Sequence, residues 1–164
     1  MKAVSRRIFV IASLLAVGAC AGEPVRTDAE IINMLQQDRS GFEQAVRLIT
    51  MDPPVREMRM RRGELEVTPA GIAPERRLWL RDFMGLHGLE SIEHFRGVSF
   101  TVSAAGLGVS GQVKKLVFEP TGRVTEAGAG SFVSDTDGAV AAERRRSILA
   151  YRDLGDGWFI RNST

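Results

Sequence analysis

The ten residues 58–67, Met-Arg-Met-Arg-Arg-Gly-Glu-Leu-Glu-Val, set the frame for reading the rest of the chain. Folding the stretch back on itself at Arg62-Gly63 pairs Arg61 with Glu64 and Arg59 with Glu66 on one side. The same fold pairs Met60 with Leu65 and Met58 with Val67 on the other. Opposite charges outside and apolar side chains inside are what a half-buried antiparallel ribbon requires, and a two-residue turn with glycine joins such strands. The segment therefore predicts a β-hairpin with one buried face.

Upstream, the period is helical. Thr27-Asp28-Ala29-Glu30 reads as a capping box, and Ile31, Ile32 and Leu35 supply an apolar stripe. Ser40-Gly41-Phe42-Glu43 repeats the box arrangement, and Phe42, Ala45, Val46 and Ile49 follow at helical spacing. Two short helices or one kinked helix are expected, ending before Pro53-Pro54. Downstream of the hairpin, Pro74 is suited to open another helix as its first-turn proline. Leu78, Trp79 and Phe83 would be its packing face, and Gly85 or Gly88 would stand near its end. Beyond about residue 92 the period changes to two. Val98, Phe100 and Val102 alternate with Ser99, Thr101 and Ser103, and Val113 to Glu119 forms a second strand candidate. Ser131 to Ser134 is a weak third. Ser147 to Leu154 and Trp158 to Asn162 flank Gly155-Asp156-Gly157, a hairpin signal. The Gly-, Ala-, Ser- and Asp-rich stretch 120–146 is expected to carry long loops. Helices and a hairpin, a further helix, then an antiparallel meander make the expected class α+β.

The amino terminus has a different character. Met1 to Arg7 is basic, Ile8 to Val17 is apolar and too short to span a bilayer, and small residues then precede Cys20, the chain's only cysteine. Val17-Gly18-Ala19-Cys20 resembles the lipobox of bacterial lipoproteins. The resemblance implies that the Cys20 thiol takes up a diacylglyceryl group and that cleavage falls between Ala19 and Cys20. A second acylation, commonly palmitate, would follow, and two or more acyl chains anchor stably where one does not. Ser5-Arg6-Arg7-Ile8-Phe9-Val10 also resembles the twin-arginine export signal, with Ile11 standing where lysine is common. An ordinary secretory leader stays open beside it. Ala21, in place of an aspartate after the lipidated cysteine, implies the outer membrane in a host that has one. The expected organisation is a signal peptide at 1–19, a lipidated tether at 20–27 and one α+β domain at 28–164.

This partition changes the meaning of the charge. The whole chain carries a net +2 and a pI near 9.1, figures that would invite a nucleic-acid reading. Lys2, Arg6 and Arg7 leave with the leader, and the mature chain falls to about −1, so no nucleic-acid partner is expected.

Four constellations could carry chemistry. Gly106-Leu-Gly-Val-Ser-Gly111 has the letters of a dinucleotide loop, but β-rich sequence follows where a helix would have to start, so a hairpin loop is expected and no cofactor. His87, Glu90 and His94 would share one side of a continuous helix and offer two imidazoles and a carboxylate to a metal. Gly88 interrupts that helix. Asp135-Thr136-Asp137-Gly138 begins like a calcium loop but lacks the later acidic positions, and a turn is expected. The arginines Arg56, Arg59, Arg61 and Arg62 form a basic face with local glutamate partners. The sequence thus points to a membrane-anchored envelope lipoprotein on the periplasmic face of the outer membrane. Its domain is expected to bind or scaffold an envelope protein or glycan, with catalysis ranked below binding. The alternatives are a metal-assisted hydrolase using His87, Glu90 and His94, and a lipid or polyanion binder using the Arg56–Arg62 face.

Overall fold

A computed structural model describes residues 25–61, 63–105, 111–122, 130–143 and 148–164. Helix α1, Asp28–Gln37, opens on the expected capping box. The Thr27 amide donates to Glu30 Oε2 at 2.7 Å, and the Glu30 amide donates to Thr27 Oγ1 at 3.3 Å. Helix α2, Arg39–Thr50, begins earlier than the second box predicts. Asp38 leaves helical geometry at φ −138°, ψ 47°, and its carboxylate accepts from the Gly41 amide. Ser40 is therefore inside the helix. The carboxylate two residues upstream is the stronger acceptor for an open helix end and takes the cap.

The hairpin forms in the register read from the sequence. Strands β1, Glu57–Arg61, and β2, Glu64–Thr68, pair Met58 with Val67, Arg59 with Glu66, Met60 with Leu65 and Arg61 with Glu64. Gly63 takes φ +81° in the turn, a conformation cheap only for glycine. The ion pairs differ from the straight cross-strand expectation: Arg59 reaches Glu57 on its own strand at 2.8 Å, and Arg61 reaches diagonally to Glu66 at 3.6 Å. Long exposed side chains choose among neighbours at little cost.

Helix α3, Pro74–His87, has proline in its first turn and stops at Gly88, which takes φ +58°. Its buried face is Arg76, Leu80, Phe83 and Met84; Leu78, expected in the core, is instead exposed, and Trp79 stacks half-buried on Phe83. The stripe turned one position because Arg76 points inward. Its guanidinium donates to the carbonyls of Pro53, Ile49 and Met51, closing the end of α2 and lowering the pKa of the arginine by burial.

Among the described residues, the strands β3 (Ser91–His94), β4 (Val98–Ala105), β5 (Gln112–Phe118), β6 (Ser131–Phe132), β7 (Leu149–Gly155) and β8 (Trp158–Ser163) complete an eight-stranded sheet of order β2-β1-β3-β4-β5-β8-β7-β6. All neighbours are antiparallel except β6 and β7, a short parallel pair. The chain is α+β as expected, with one addition in the stretch read as loop: helix α4, Thr136–Ala142. Asp135 caps it by accepting from the amides of Asp137 and Gly138, so the expected turn is a helix start.

One row across the sheet, Met58-Ile92-Phe100-Leu116-Ile160, is fully buried beneath the helices. At its centre Phe42 of α2 meets Phe83 of α3, Phe100 of β4 and Trp158 of β8 at ring-centroid distances of 5.0, 5.3 and 6.0 Å. Edge-to-face packing of this kind adds about 0.5–1.5 kcal/mol per pair beyond area burial. No helix among the described residues is long and apolar enough to cross a membrane.

Candidate functional site

Strand alternation sends the neighbouring row to the other face. Arg59 of β1, Ser91 of β3, Thr101 of β4, Lys115 of β5 and Arg161 of β8 follow one another across the sheet, away from α1–α3. Arg59, Ser91, Thr101 and Lys115, with Glu90, Glu93, Ala104 and Val113, line a groove of about 570 Å³. That volume is within the usual range for a ligand site.

The groove's polar groups hold one another. Lys115 Nζ donates to Glu93 Oε2 at 2.7 Å, and Ser91 Oγ donates to Thr101 Oγ1 at 2.9 Å. The Ala104 amide donates to Glu90 Oε1 at 2.7 Å. Two cations, Arg59 and Lys115, stand against two carboxylates, Glu90 and Glu93, so the lining is balanced. A balanced, hydrogen-bonding floor suits a polar ligand without strong net charge better than a polyanion.

Behind the β5 end of the groove, on the helical side, lies a buried ion cluster. Lys114 follows the parity of Leu116 and so enters the core, where it is 0% exposed. Its ammonium donates to the Arg26 carbonyl at 3.0 Å, pairs with Asp28 at 2.8 Å and hydrogen-bonds Asp137 of α4. Asp28 also accepts from the Thr136 amide at 2.9 Å and from the Thr136 hydroxyl. Burial pushes the Asp28 carboxyl upward, but the hydrogen bonds from Lys114 and Thr136 together outweigh it and hold its pKa below the ordinary 3.8. The cluster ties α1, β5 and α4 together at the point where the chain enters the domain.

The sequence's other candidates are placed as follows. Ala19, Cys20, Arg6 and Arg7 lie outside the described residues, as do Arg62 and 106–110. The glycine-rich stretch joins β4 to β5, whose ends pair Ala105 with Gln112, so no helix follows it. His87, Glu90 and His94 do not form a ligand set. The helix ends at His87, whose Nε2 is 2.9 Å from Asp38 Oδ2 between the rings of Phe42 and Phe83. Glu90 faces the groove, and His94 pairs with Val98 in the sheet. Among the described residues, ligand atoms from three acidic or imidazole groups come within 4.8 Å at Asp28, Asp135 and Asp137. Lys114 already supplies the positive charge to two of these, and Asp135 caps α4.

Sequence reasoning missed Lys114, Asp28 and the groove residues Ser91, Glu93, Thr101 and Lys115. A signal existed for the lysines. Only Lys2, Lys114 and Lys115 are lysine in the entire chain, and two consecutive positions of a strand must face opposite ways, so one of the pair had to share a side with Leu116. No protein-family model, curated protein or solved structure matches this chain.

Proposed function

We propose that the protein is a membrane-anchored envelope lipoprotein, acylated at Cys20, whose domain binds a second envelope component in the groove on the open face of its sheet. The partner is a protein segment or a glycan, and the domain holds it without transforming it. The observation that carries this reading is the groove itself: a polar, charge-balanced floor set on strands, with Lys115 paired to Glu93 and Ser91 to Thr101. Those pairs can open to a ligand's donors and acceptors at small net cost, since one hydrogen bond replaces another. The lipobox resemblance at Val17–Cys20 supports the location on the periplasmic face of the outer membrane. An anchor confines the domain to the neighbourhood of its partners, so modest intrinsic affinity suffices.

The test is photocrosslinking in intact cells from a photoreactive residue placed at Arg59 or Lys115, with Arg81 on the exposed side of α3 as control. The reading expects a discrete adduct from the groove positions that is absent from position 81 and suppressed by Ala104→Trp, which fills the groove. Adducts of equal yield at position 81, or adducts indifferent to Ala104→Trp, would contradict it.

A further inference from the structure

The tether is short compared with the body it holds, and the chain's entry point into the domain is fixed. Arg26 is locked on four sides. Its amide donates to Ser103 Oγ at 3.1 Å, its guanidinium donates to the His87 carbonyl at 2.9 Å and reaches Met34 Sδ, and its carbonyl accepts from Lys114. Between Cys20 and Arg26 stand Ala21, Gly22, Glu23, Pro24 and Val25. Six steps of extended chain span at most about 20 Å. A domain of this length is about 35 Å or more across. If Cys20 sits at the bilayer surface, the pole of the domain bearing Arg26 cannot be turned away from it.

That pole carries an unexplained apolar side chain. Leu86, in the last turn of α3, is 76% exposed, and it directly precedes His87, whose carbonyl Arg26 holds. The opposite pole is marked by Phe95, in the turn between β3 and β4 and 83% exposed. Along β4, Val98 and the Arg26-bound Ser103 are already about 17 Å apart at the usual strand rise, and Phe95 lies beyond Val98.

We infer that the carboxyl-terminal end of α3 is the membrane-facing surface of the domain, with Leu86 seated on the lipid surface and Phe95 directed away from it. The inference rests on the lipid attachment at Cys20 proposed above. Ala104 and Val113, at the β4–β5 end of the groove, would then lie on the membrane side of the ligand site.

The experiment uses the full mature chain carrying a fluorescent non-natural amino acid in place of Leu86 or of Phe95. Each form is bound to phosphatidylcholine vesicles containing a lipid spin-labelled at the headgroup. Cys20 is attached either by its native acyl groups or by coupling its thiol to a maleimide lipid. The second form tests orientation even if native acylation fails, and mass spectrometry of the first decides acylation separately. Both substituted side chains are exposed, so folding is preserved, and circular dichroism checks this. The inference expects several times stronger quenching at position 86 than at position 95. It also expects the difference to vanish when a long Gly-Ser segment is inserted after Gly22. Equal quenching at the two positions, stronger quenching at 95, or a difference that survives the insertion would overturn it.

Discussion

Replacing Lys114 with Met keeps the aliphatic stem and removes only the buried ammonium. Asp28, whose side chain is 4% exposed, would then keep the Thr136 contacts and Arg152 at 3.5 Å, but lose its 2.8 Å cation. Breaking a buried pair from one side costs about 3–5 kcal/mol because the remaining charge is stranded. The residual hydrogen bonds pull the figure toward the lower end, and the lost donor to the Arg26 carbonyl adds back about 1 kcal/mol. A domain holding about 5–15 kcal/mol in total would survive in weakened form. In urea the midpoint should fall by about 2 M. The pH dependence is the sharper signature. In the parent, Asp28 is held below 3.8, so its contribution is present above that value and lost as the pH falls through the lower folded value. Without Lys114 its hydrogen bond and its charge no longer lower the carboxyl, so the folded pKa rises from the parent's value and protonation relieves the variant first. The difference between variant and parent should therefore shrink as the pH is lowered from neutrality into and below the ordinary carboxylate range. Urea titrations of the Cys20→Ser chain across that range measure it. A loss under about 1 kcal/mol would mean the pair is no better than a surface one, and a loss independent of pH would refute the cluster as described.

Two further outcomes follow from other parts of the chain. Gly88→Ala should destabilise by about 1–2 kcal/mol, because a left-handed position penalises any Cβ. The new Cβ would also lie 2.6 Å from an Arg26 guanidinium nitrogen, so loosening at the chain's entry point should show as faster amide exchange at Ser103 and His87. Replacing Arg6 and Arg7 with Lys should block export if the twin-arginine route is used; normal export of that variant assigns the chain to the general secretory path.

What could be read in advance was local. The hairpin register came from alternating charge and apolar side chains over ten residues, and the Thr27 capping box and Pro74 start needed only neighbours within one turn. The start of α2 is ambiguous in the sequence because Ser40 and Asp38 are both good caps, and only the break in backbone direction chooses Asp38. Helix α4 escaped notice because its seven residues, Thr-Asp-Gly-Ala-Val-Ala-Ala, have too short an apolar pattern to show a period. The groove was invisible for a different reason. Arg59, Ser91, Thr101 and Lys115 meet only through the strand order β1-β3-β4-β5, which places residues from four separate strands side by side. The Asp28–Lys114 pair likewise joins distant positions, and no spacing rule spans such a separation.

The location of the domain at a bilayer underlies both the binding proposal and its orientation, and the intact mass of the protein from native membranes tests it most directly. The account predicts a chain that begins at position 20 with a diacylglyceryl thioether on the cysteine sulfur. A chain that still starts at Met1, or a free thiol at position 20, would contradict it.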